Sequence, residues 1–77
     1  MTLADLAVGS PATVLAVGGE RSIRRRLLEL GLLPQTEVRV MHIAPLGDPL
    51  SLRVRNTTLS IRKSEAAQIE VAPAANG

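Results

Sequence analysis

Four short segments of this chain alternate apolar and polar residues at every second position, and no other feature limits the fold as strongly. In "TEVRVMHIA", residues 36 to 44, Val38 and Val40 point one way and Glu37 and Arg39 the other. In "LSLRVRN", residues 50 to 56, Leu50, Leu52 and Val54 alternate with Ser51, Arg53 and Arg55. "TLSIRK" sets Leu59 and Ile61 against Ser60 and Arg62, and "QIEVA" sets Ile69 and Val71 against Glu70. Successive side chains of an extended chain leave on opposite faces, so each segment predicts a half-buried antiparallel strand. Ile43 falls out of phase with Val38 and Val40, which predicts a bulge at Met41-His42. Asn56-Thr57 reads as a two-residue hairpin connection, with Asn able to take a positive φ. "ATVLAV", residues 12 to 17, supplies a fifth strand of ambiguous register.

One segment breaks the period. Ile23, Leu27 and Leu30 recur at i, i+4 and i+7, which is helical spacing, with Arg24, Arg25 and Glu29 on the opposite face. Ser22, or Gly19 one turn earlier, is the candidate N-cap; Gly31 stands at C′, and Pro34 forbids continuation. The spacing predicts a helix over about 20–30, with its arginines solvated and Leu30 in the core. "SEAA", residues 64 to 67, predicts a short helical turn capped by Ser64. A mainly β fold follows: a small five-stranded SH3-like barrel, which leaves few exposed edges, with the helix inserted between its first two strands. The expected organisation is one domain over 1–72 and a flexible C-terminal tail over 73–77.

Composition narrows the function. A chain of 77 residues buries only about 60% of its unfolded surface, so its stability is marginal. Its core must come from 12 Leu, 7 Val and 4 Ile, because there is no Phe, Tyr or Trp. With no cysteine, neither disulfides nor thiolate metal ligands contribute. Nine Lys/Arg against seven Asp/Glu leave a net charge of +2, and the high pI reflects that eight of the nine bases are Arg. No apolar run is long enough for a membrane span, and the N-terminus lacks the basic start and apolar stretch of a secretory signal. The expected location is the cytoplasm.

The chemistry available is sparse. His42 is the single histidine, and no serine stands at a recognisable spacing from a base, so no catalytic residues are expected. No phosphate-binding GxxxxGK[ST] loop is present. A closed metal site needs clustered imidazoles or thiolates. Here His42 is at most an opportunistic ligand, with Asp48 and Glu37 as the carboxylates within reach in sequence, and no cofactor is expected. Arg24, Arg25, Arg26, Arg53, Arg55 and Arg62 raise the question of nucleic acid. However, barrels that hold single strands use aromatic stacking platforms, and the chain has none. The same lack excludes an ordinary polyproline groove. Insertion of the helix into a membrane is excluded because its apolar face is needed by a core with no other large contributor.

The segments "RRLLELGLLPQTEVRV", "APLGDPLSLRVRN" and "LSIRKSEAAQIEV", in this order and spacing, resemble the ferrous iron transport protein A family (FeoA) over nearly the whole chain. The matching residues are Leu27, Leu30-Gly31-Leu32, Pro34, Ala44 to Pro49, Arg62 and Glu65-Ala66, with Leu6 and Gly9 in the opening segment. Two positions depart from the family pattern. Gln35 stands where glycine usually follows the proline, which implies a turn without positive φ, and Asn56 stands where glycine usually forms a hairpin tip. The resemblance implies an SH3-like barrel and an accessory, regulatory role beside a membrane ferrous iron transporter with a cytosolic GTP-binding domain. On that basis any transition-metal binding would be a property of the family rather than of a ligand set in this chain.

A module without chemistry of its own acts through contacts, so the informative residues are apolar ones that the core does not claim. Leu28 lies off the Ile23/Leu27/Leu30 face, Leu32 and Leu33 cannot easily both turn inward, and Leu46 sits at the tip of a Pro/Gly/Asp loop. These four, with Arg24 and Arg25 as steering charges, form the expected partner surface. Self-association stays open. A rival of another class is the C-terminal SH3-like domain of a metal-dependent transcriptional repressor, which resembles the same barrel. It needs a helix-turn-helix and metal-ligating domain upstream, and a chain starting at Met1 is not expected to carry one.

Overall fold

Each alternating segment forms a strand that buries the predicted side. The structure, a computed structural model, describes residues 1–74. Its strands are β1 (Pro11–Val17), β2 (Glu37–Ile43), β3 (Leu50–Val54), β4 (Thr57–Ile61) and β5 (Ile69–Pro73), with helices α1 (Arg21–Glu29) and α2 (Lys63–Ala66) and a 3-10 turn at Leu3–Asp5. They make one antiparallel sheet in the order β4-β3-β2-β1-β5, with α1 inserted between β1 and β2 as expected. Val38, Val40, Leu50, Leu52, Val54, Ile61, Ile69 and Val71 are all buried, and Leu59 packs partly buried against them.

The sheet does not close into a barrel, contrary to expectation. Edge strand β4 pairs only with β3, and the free side of β5 is taken by the N-terminal segment. Thr2 bridges Glu70, and the Val71 N–H donates to the Met1 carbonyl at 3.0 Å. That segment also sends Leu3 and Leu6 into the core, so α1 is not the core's only contributor outside the strands. The other cover is α2, whose Ala66 is fully buried.

Two bulges set the registers. Val40 pairs with Leu52 and His42 with Ser51, so Met41 is the extra residue of β2, at the place the phase break predicts. A second bulge lies between Val14 and Ala16 of β1 and makes Leu15 the extra residue. It explains the ambiguous register there, because Ala12, Val14 and Val17 are all buried and fit no unbroken alternation. Both extra residues are apolar and exposed, Leu15 at 44% and Met41 at 44%.

The helix ends differently from its periodicity. Its N-cap is Glu20, not Ser22 or Gly19, and the Ser22 hydroxyl donates to the Glu20 carboxylate at 3.1 Å. At the other end the Leu32 N–H donates to the Leu27 carbonyl at 3.1 Å and the Gly31 N–H to the Leu28 carbonyl at 3.0 Å, a Schellman motif. Gly31 carries the positive φ of 104° that this closure requires. The turn lays Leu32 beside Leu27, and both are fully buried. Leu30, the C-cap, is left 37% exposed, so the predicted core role of Leu30 belongs to Leu32.

Three local expectations shift with it. The β3–β4 connection is Arg55-Asn56 rather than Asn56-Thr57, since Val54 pairs with Thr57, and Arg55 takes the positive φ of 57°. Gln35 adopts φ of 73°, so the turn keeps the left-handed conformation and places a non-glycine residue in it. The N-cap of α2 is Arg62, not Ser64, and the Glu65 carboxylate accepts the Arg62 N–H at 2.8 Å. At the C-terminus Pro73 ends β5 and the Ala74 N–H donates to the Pro11 carbonyl at 3.2 Å. The remaining tail residues, 75–77, lie outside the described residues.

Candidate functional site

The Pro/Gly/Asp loop between β2 and β3 is held at three points. The Gly47 N–H donates to the Ala44 carbonyl at 2.7 Å, and the Ala44 N–H to the Pro49 carbonyl at 3.1 Å. The Asp48 carboxylate accepts the Lys63 N–H at 3.0 Å, an anionic oxygen at the start of α2. Asp48, a carboxylate within sequence reach of His42, is therefore engaged in fixing the loop. At its tip Leu46 is 95% exposed. A leucine so placed contributes nothing to the core, and a loop tied this way presents it without a large ordering cost.

The other candidate residues divide. Leu33 is exposed, whereas Leu28 is half-buried against the core and Leu32 lies inside it. Leu32 is therefore no part of any surface, because the Schellman turn spends it on packing against the core. The Arg24 guanidinium donates from Nε to the Val17 carbonyl at 3.0 Å and so fastens α1 to the end of β1. Arg25 meets Glu29 one turn on at 3.6 Å, both side chains largely exposed, a pair of small energetic weight. Both arginines remain at the surface. Sequence reasoning missed Val8, Leu15 and Met41 as exposed apolar residues. The signal for Met41 was in the phase break; Val8 is brought near it because the adjacent Gly9 N–H donates to the Val40 carbonyl at 2.7 Å.

Arg26 is half-exposed yet partnered. It forms an ion pair with Glu65, whose carboxylate is almost wholly buried and also accepts the Arg62 N–H. A single carboxylate thus joins α1 to α2 and caps α2. His42 is exposed at the β2 bulge opposite Ser51. Among the described residues no group of three or more His, Asp or Glu side chains comes together in a way that could hold a metal ion. No helix among them is long and apolar enough to cross a membrane.

A model of the FeoA domain matches residues 1–73. The chain belongs to the FeoA family. Its relatives include an Fe(2+) transport protein A/Fe(2+) transporter FeoB fusion protein of Porphyromonas gingivalis, 37% identical over 71 residues that cover 92% of this chain. The chain spans only 8% of that fusion's length. Among solved structures it is similar to FeoA of Chlorobium tepidum, with TM-score 0.92 and 38% identity over 100% of this chain and 73% of that one. It is also similar to FeoA of Stenotrophomonas maltophilia, solved in complex with zinc and described as a procaryotic SH3 domain protein, with TM-score 0.83 and 37% identity over 94% of this chain and 89% of that one. The SH3-like fold extends to a manganese-dependent transcriptional repressor, TM-score 0.87, but at 17% identity that likeness concerns the fold alone. FeoA links the chain to ferrous iron transport.

Proposed function

We propose that this chain is a non-catalytic, cytoplasmic accessory module of a ferrous iron uptake system that binds a membrane iron transporter carrying a cytosolic GTP-binding domain. One observation carries the reading: in the P. gingivalis relative a segment alignable with 92% of this chain is joined in one polypeptide to an Fe(2+) transporter. A covalent tether holds a module at an effective concentration of order millimolar, which makes even weak contacts productive.

Such a module acts by binding one state of its partner better than another. A difference of about 1–3 kcal/mol, or roughly 5- to 150-fold, is typical of such coupling. The contact we assign is anchored on Leu46, in the loop after β2; Leu33, before the start of β2, and Leu28, Arg24 and Arg25, on α1, are further candidates that the same partner would have to span. Leu46 is the anchor because it is 95% exposed on a loop that three hydrogen bonds already order. The test is direct binding of the purified chain to the detergent-solubilised transporter of the same organism. Saturable binding that Leu46→Glu weakens, with the thermal melt unchanged, supports the reading. Binding indifferent to Leu46→Glu and Leu33→Glu removes the assigned contact, and absence of binding removes the partner.

A further inference from the structure

A groove of about 450 Å³ opens on the outer face of the sheet, lined by Arg39, Arg53, Arg55, Glu37 and Gln35 among others. Arg39 and Arg53 stand directly opposite each other across β2 and β3. Like charges in that position weaken a sheet. Arg39 gives one donor to the Gly9 carbonyl at 3.1 Å, which steadies its guanidinium and leaves most of its donors open. Among the described residues none of the three arginines forms an ion pair; the two pairs present use Arg25 and Arg26. The groove holds three bases and one acid, and the chain as a whole has nine and seven, so the remaining six bases and six acids cancel. The groove therefore carries a formal charge of +2, equal to that of the whole chain.

We infer that this groove binds an acidic segment of a partner protein that carries several carboxylates. Arg53 lies on β3, and Arg55 follows in the turn to β4, where it takes a positive φ of 57°, so the two guanidiniums stand at the strand end and the turn. Arg39 lies about 5 Å to the side, on the neighbouring strand. A single small anion meets one or two of these forks, whereas a segment with several carboxylates can meet all three, each guanidinium able to grip a carboxylate through two parallel hydrogen bonds. No aromatic residue is present to stack a nucleobase, which favours peptide over single-stranded nucleic acid. The site is distinct from the Leu46 contact and stands or falls separately from it.

The probe is a fluorescein-labelled peptide of alternating Glu and Thr, followed by anisotropy at low and at physiological salt, with an alternating Lys and Thr peptide as the opposite-charge control. The expected result is binding of the acidic peptide alone, weakening as salt rises. Arg39→Gln/Arg53→Gln should reduce affinity at least about tenfold, since it removes two charge-assisted contacts. Arg53→Gln alone should give a smaller loss. Arg53→Gln relieves a cross-strand repulsion and should melt at or above wild type, whereas the double variant also gives up the Arg39 bond to the Gly9 carbonyl and should melt close to wild type. Arg21→Gln/Lys63→Gln, which changes the net charge equally elsewhere, should leave binding unchanged. Three outcomes overturn the inference: no binding of the acidic peptide at low salt, an equal loss in the Arg21/Lys63 control, or displacement of the peptide by inorganic phosphate at the same concentration.

Discussion

Leu30 and Leu32 are the same residue type two positions apart, and the structure gives them opposite fates. Leu32 is fully buried beside Leu27, while Leu30 is 37% exposed at the helix end. Truncating Leu32 to alanine removes three buried carbons and leaves a cavity in a core of aliphatics that cannot fully collapse. Buried Leu→Ala changes cost about 2–5 kcal/mol. At 0.05–0.15 kcal/mol per residue, a chain of 77 residues has a total stability of about 4–12 kcal/mol, so the loss is a large share of it. A loss near 3 kcal/mol lowers Tm by roughly 12–24 °C in a domain of this size. Leu30→Ala leaves no closed cavity and forfeits only part of the transfer term, about 1 kcal/mol. Urea denaturation followed by circular dichroism, with equal m-values checked, measures both. If Leu30→Ala costs as much as Leu32→Ala, the helix end is wrongly described and Leu30 is the core residue.

Three further expectations rest on other parts of the fold. Arg26→Met strands the buried Glu65 carboxylate without its ion-pair partner; because Arg26 is half-exposed, the expected loss is about 1–2 kcal/mol, and a double-mutant cycle with Glu65→Gln should show positive coupling. Gln35→Gly removes the left-handed strain at φ 73° but adds backbone freedom to the unfolded chain, for a net gain of about 0.5 kcal/mol, read as a rise in Tm. Calorimetric titration of the metal-free chain with Zn2+ or Fe2+ should show nothing tighter than a lone surface imidazole gives; a stoichiometric, submicromolar site lost on His42→Ala would overturn that expectation.

The strands were legible because alternation records burial directly, one residue at a time. The bulge at Met41 was legible for the same reason, as a break in phase. The bulge at Leu15 was not, because Ala12, Thr13 and Ala16 differ too little in polarity to show which face each takes. Helical spacing placed Ile23, Leu27 and Leu30 on one face correctly as angles. What it cannot encode is where the helix stops, and the Schellman turn after Leu30 moves Leu32 into the place that Leu30 would have taken. Closure of the sheet was misjudged because Met1 and Thr2, which cover the edge of β5 through backbone hydrogen bonds, carry no side-chain pattern to announce it. Of the candidate contact, Leu33 and Leu46 were read as surface residues and are exposed. Arg26 was read as a surface charge because its partner, Glu65, lies 39 residues away in sequence.

Ferrous iron uptake by living cells tests the proposed role most directly. Radiolabelled Fe2+ accumulation is compared in cells carrying the wild-type gene, a folded Leu33→Glu/Leu46→Glu variant, or no copy, with transporter abundance held equal. A module that works through the Leu46 contact predicts reduced uptake in the deletion and a comparable reduction in the double variant. Uptake unchanged by the deletion would contradict the accessory role itself.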